Sequence, residues 1–167
     1  MPAVVSDTSP LICLTRLGRL EWLRAIYGSV VIPAAVWNEI AVGGKDFPEA
    51  CAVRSAMTDG WMNVESVQGE PTLVTDAELD AGETEAILLA RKLNAVLVID
   101  EMAGRAVAEQ MGLEITGTAG VLLRAKLSGL TMSLKGELDR LQHETTFWLA
   151  DDIREELLRQ ASEQDQA

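Results

Sequence analysis

Histidine, cysteine, aromatic residues and positive charge are all scarce in this 167-residue sequence. The single histidine, His143, stands in a charged C-terminal stretch, which argues against His-dependent nuclease or triad chemistry. Cys13 and Cys51 lack metal-type spacing, and Cys13 falls among Leu11, Ile12 and Leu14 as a reduced core thiol, so no disulfide framework is expected. Only 14 basic residues face 26 acidic ones, and the formal net charge of −12 disfavours nonspecific attraction to nucleic acid. A polyanionic substrate would therefore need a local basic rim or a metal. No apolar run reaches the roughly 18 residues of a membrane span, and no basic segment followed by a long apolar stretch opens the chain. The expected compartment is the cytoplasm, with no membrane partner. There is no repeat and no low-complexity tract.

What is present is apolar patterning, with 48% hydrophobic residues. That is enough for one domain with a sizeable core, read here as residues 1–130, followed by a helical, charged extension over 131–167. Ala3 to Ser6, Val30 to Ile32, Ala95 to Ile99 and Leu113 to Thr116 are short β-branched runs that read as strands, and Trp61 to Val67 alternates like an edge strand. Between them, Leu11 to Tyr27 carries helix-like leucine spacing broken by Gly18 and Gly28. Ala34 to Val42 follows Pro33 as a helix start. Pro48 to Met57, Ala81 to Leu93, Met102 to Met111 and a segment ending at Ser128 also read as helices, and the chain loops around Gly69 and Pro71. Strands alternating with helices predict an α/β protein, a mostly parallel sheet with helices on both faces. Residues from Ser133 onward are helical in pattern, fraying after Arg159. Trp148, Leu149, Ile153, Leu157 and Leu158 form an apolar stripe there that could be buried or bind a partner.

Asp7 ends the first apolar run, where open parallel sheets bind ligands at their carboxyl edge. Glu39 lies beyond the second run, Glu83 and Glu85 open the helix after Asp80, and Asp100 and Glu101 follow Val96 to Ile99. Each has an alternative structural role. Asp7 and Asp100 could cap the helices that follow them, and Asp80 with Glu83 has the spacing of a capping box. Clustered carboxylates repel, however, and a hard divalent ion such as Mg²⁺ or Mn²⁺ is the usual solution. Thr8, Ser9 and Thr118 could orient water or phosphate oxygens. Arg105 could meet a phosphate, or pair with Glu101 or Glu109.

Five segments, taken in order, resemble the PIN-domain nucleases, more narrowly a prokaryotic PIN-like group, DUF3368, found beside toxin–antitoxin proteins. They are Val5 to Ile12, Val31 to Ile40, Leu79 to Ile87, Val98 to Arg105 and Gly117 to Leu122. The resemblance implies a three-layer α/β/α sandwich whose acids hold Mg²⁺ or Mn²⁺ and hydrolyse RNA. By match to the motif those acids are Asp7, Glu39, Glu83 and Asp100, with Glu85 and Glu101 as second choices. It further implies a toxin neutralised by a small antitoxin protein, and a homodimer. A catalytically weak PIN-like binding module is the non-enzymatic alternative, favoured by the acidic charge. An aspartyl-phosphate phosphotransferase on Asp7 is another, although Ser9 stands where such enzymes carry a second aspartate.

Overall fold

The computed structural model describes residues 3–44, 46–68 and 78–163, and the loop expected around Gly69 and Pro71 lies outside them. Five strands form a single parallel sheet: β1 (Val4–Ser6), β2 (Val30–Pro33), β3 (Met62–Glu65), β4 (Val96–Val98) and β5 (Ile115–Thr116). Their spatial order is β3-β2-β1-β4-β5. The chain builds outward from β1 to one edge, then returns to add β4 on its other side. This puts a topological switch point between β1 and β4, and β3 is the edge strand that its alternation suggested.

Period-two geometry separates the two faces of the sheet. Val4, Val30, Ile32, Met62 and Val98 belong to the larger core, which includes residues of α1 (Thr8–Arg16), α2 (Glu21–Tyr27), α4 (Pro48–Thr58) and α7 (Thr118–Leu127). Val5, Leu97 and Ile99 belong to the smaller one, beneath α5 (Ala81–Leu93) and α6 (Met102–Gln110). α3 (Ala34–Asn38) packs beside α5. The result is the α/β/α sandwich that the alternation of elements predicted.

Glycine and asparagine end the helices where the chain must enter the left-handed region. Gly18, Gly28, Gly112 and Gly129 have φ between +70° and +80°, and Asn94 caps α5 at φ 49°. One expectation is corrected. Ala34 to Val42 is not a continuous α-helix, because from Glu39 to Gly43 the chain makes a π turn before Gly44. Such a turn inserts an extra residue per turn and re-aims the side chains it carries.

Residues beyond 130 form α8 (Leu134–Glu144) and α9 (Asp151–Gln160). Leu134, Leu138, Leu141, Leu149, Leu158 and Ala161 join the larger core, while Trp148 and Ile153 of the predicted stripe stay exposed. No helix among the described residues is long and apolar enough to cross a membrane.

Candidate active site

β1 ends at Ser6, and the backbone N–H of Asp7 donates to the Val98 carbonyl at 3.0 Å, fixing Asp7 against β4 at the switch point. Asp7 occupies the N-cap position of α1, yet its carboxylate makes no capping hydrogen bond. The side chain is instead buried, with 4% of its surface exposed. Burial drives its pKa up to about 7. The Thr8 backbone opposes the rise, and the carboxylates of Asp80, Glu83 and Glu39 reinforce it.

These neighbours define a cleft of about 480 Å³, lined by Asp7, Thr8, Ser9, Ile12, Glu39, Glu78, Asp80, Glu83 and Glu101. Six of the nine are carboxylates and none is basic. Glu39 arrives on the π turn, and Thr8 Oγ1 donates to its Oε2 at 2.8 Å. Glu83 arrives on the first turn of α5, where the predicted capping box forms. Its N–H donates to Asp80 Oδ1 at 2.8 Å, and the Asp80 N–H donates back to Glu83 Oε2 at 3.2 Å. Capping therefore uses one oxygen of Glu83 and leaves its carboxylate at the cleft wall. Burial raises its pKa, opposed by the Asp80 backbone hydrogen bond and reinforced by Asp80, Glu101 and Glu39.

Gly82 is what permits this approach. A Cβ there would lie 2.5 Å from Glu39 Oε1 and 3.4 Å from Asp7 Oδ1. Any side chain at Gly82 would force the Glu39 carboxylate to shift.

The structure does not bring all the sequence candidates to one place. Asp100 turns away: its Oδ1 accepts from the Thr118 N–H at 2.7 Å and its Oδ2 from Thr118 Oγ1 at 2.6 Å, so it anchors the start of α7. Burial still raises its pKa, against the two Thr118 bonds and Arg105. Arg105 lies on the same side and donates from Nη1 to the Ile99 carbonyl at 2.9 Å. Glu101, the second choice, is the one that lines the cleft. Glu85 does not; its Oε2 accepts from the Ala35 N–H at 2.8 Å, closing the start of α3.

The exchange happens just past the end of β4 at Val98, where Asp100 turns to Thr118 of α7 and Glu101, the N-cap residue of α6, lines the cleft. Glu78 and Asp80 were not anticipated as cleft residues. Asp80 carried a capping signal only, and Glu78 no signal at all.

The donor set suits a hard divalent cation. It offers only oxygen ligands, one of them a buried carboxylate pressed by like charges, with no basic side chain among the described residues that line it. Among the described residues no three His, Cys, Asp or Glu side chains yet stand close enough to hold an ion. The carboxylates would have to draw inward around one.

Fold and cleft together define an α/β/α protein with an acidic pocket at the carboxyl edge of a parallel sheet. The model of the family DUF3368, a PIN domain, matches residues 3–163, and the chain belongs to that family. PIN domains are generally nucleases. Among solved structures, a PilT N-terminus domain protein from the hyperthermophilic archaeon Sulfolobus solfataricus P2 superposes with a TM-score of 0.50 at 20% identity, over 75% of this chain and 93% of that one. A domain of a functionally unknown protein from Methanocaldococcus jannaschii DSM 2661 gives 0.47 at 20% identity, over 70% and 91%. No curated protein matches.

Proposed function

We propose that this protein is a Mg²⁺- or Mn²⁺-dependent endoribonuclease in which Asp7, Glu39, Glu83 and Glu101 hold the ion, with Asp100 acting as a positioning residue through Thr118. The observation that supports this most is the burial of Asp7 among three other carboxylates at the switch point of the sheet. A divalent ion bound there supplies an activated water at neutral pH and stabilises charge on a transferring phosphoryl group.

The chain's own residues prepare that chemistry. Asp7 is held rigidly by its backbone bond to β4, and its pKa of about 7 means it readily surrenders a proton when a cation arrives. Thr8 orients Glu39 by donating to Oε2, while Asp80 fixes Glu83 through the capping box. Ser9 lines the same cleft and offers a hydroxyl toward a phosphate oxygen. RNA as the substrate, a toxin role with a small neutralising antitoxin, and a homodimer rest on the family resemblance. The weak-binding reading draws on the net charge of −12 and on a cleft with no basic side chain among its described lining residues.

One experiment separates them. Wild type and Asp7→Asn are incubated with a mixed RNA pool in Mn²⁺, and circular dichroism verifies that both are folded. The expected outcome is cleavage by wild type and a loss of about a hundred- to a thousandfold in the variant, as when a transition-state charge contact is removed. Equal cleavage by both proteins would refute the site. RNA binding without cleavage by wild type would favour the binding module.

A further inference from the structure

Beside the acidic cleft lies a second hollow of about 250 Å³, and the two share Ile12 and Glu39. Their character differs sharply. The second is mainly apolar, with Ile12 and Ile40 contributing to its wall and Phe47 standing 60% exposed at its edge. Phe47 is one of two phenylalanines in the chain, and its ring is left largely in water. The π turn that carries Glu39 into the acidic cleft also supplies Ile40 and Gly43 to this hollow, and a Cβ at Gly43 would meet nothing within 4 Å.

Charge complements this shape. Arg16 lines the hollow together with Glu39 and Glu49, and is the one cation among the described residues around either cavity. Its Nε donates to Glu49 Oε1 at 3.0 Å, which tethers a side chain that is still 44% exposed. Its Nη groups make no hydrogen bond among the described residues. An apolar slot of this size admits one flat ring, and a fixed guanidinium beside it suits the phosphate attached to that ring's sugar.

We propose that this hollow is a base subsite, taking the nucleobase of the nucleotide next to the phosphate held at the acidic cleft, stacked on Phe47, with Arg16 facing that nucleotide's own phosphate. The inference rests on the nuclease reading given above. It accounts for how a chain of net charge −12 engages a polyanion. Stacking and one local cation take the place of a broad basic surface.

The test uses a fluorescein-labelled single-stranded oligoribonucleotide and a set in which an abasic residue occupies each position in turn. Binding in Mn²⁺ is followed by anisotropy for Asp7→Asn alone and for Asp7→Asn carrying Phe47→Ala or Phe47→Tyr, with cleavage assayed separately for wild type and Phe47→Ala. Losing a base–aromatic stack should raise Kd about tenfold for Phe47→Ala. Phe47→Tyr should restore it, and one abasic position should cost the parent as much while costing Phe47→Ala nothing further. Equal Kd for Phe47→Ala and its parent, or losses that add, would overturn the subsite. If wild type also cleaves, the nuclease reading survives that failure. Phe47-dependent binding without cleavage would uphold the subsite and overturn the nuclease, and no RNA binding by any variant together with no cleavage by wild type would overturn both.

Discussion

At the scale of a single residue, Asp7 shows how a fold makes a reactive group costly. Its backbone bonds to β4, its side chain is buried, and three other carboxylates act on it. The folded pKa of about 7 lies above the ordinary 3.8, so between those values the folded protein binds a proton that the unfolded chain releases. Asp7 therefore destabilises the metal-free protein progressively as pH rises from about 4 to 7, with no further loss above that. Asp7→Asn, which carries no charge, should gain stability over wild type across that window, by up to about 4 kcal/mol at pH 8. Urea unfolding of both proteins at pH 4.5 and pH 8 measures it. The midpoints should differ little at the lower pH and clearly at the higher. A constant difference would mean that Asp7 is not held protonated in the fold.

At the scale of elements, each acid owes its role to the segment that delivers it. Glu83 and Glu85 both sit in the first turns of α5, but one faces the cleft and the other reaches α3. Glu85→Ala should thus remove a cap, costing about 1 kcal/mol in urea unfolding, while Mn²⁺-dependent RNA cleavage stays within a factor of two of wild type. Loss of cleavage at unchanged stability would exchange the roles of the two glutamates. The five strands were legible in advance because β-branched runs such as Val96-Leu97-Val98 have few other uses, and the helix ends because Gly18, Asn94 and Gly112 supply positive φ. Asp7 and the Asp80–Glu83 box were legible too. Motif matching preferred Asp100 to Glu101, whereas Glu101 lines the cleft and Asp100 bonds Thr118; the two lie in the turn between β4 and α6, whose side-chain directions no strand period fixes. The π turn at Glu39 was hidden for another reason. Its residues have ordinary helical preferences, and the extra residue per turn goes with packing against α4 and with placing Glu39 in the cleft, which no local sequence pattern encodes.

At the scale of the whole molecule, the residues after 130 bear on whether the nuclease domain can stand alone. α8, α9 and the segment joining them place Leu134, Leu138, Leu141, Leu149 and Leu158 into the same core that α1 and α7 use, each less than a tenth exposed. Polar contacts tie the same region down. Glu137 is buried and pairs with Arg19 at 2.9 Å, and Glu163 accepts from the Leu134 N–H at 3.0 Å and pairs with Lys126. Removing residues 131–167 would strip five leucines from the core, at roughly 1.5–3 kcal/mol each, and leave Arg19 without its partner. The sum is comparable to the 5–15 kcal/mol by which a whole domain is stable. A protein comprising residues 1–130 should therefore lack a cooperative thermal transition by circular dichroism and bind a hydrophobic dye, while the full chain melts in one step. A cooperative melt of the shortened chain would show that the first 130 residues form a domain of their own, and that the final two helices are an addition to a nuclease core already complete.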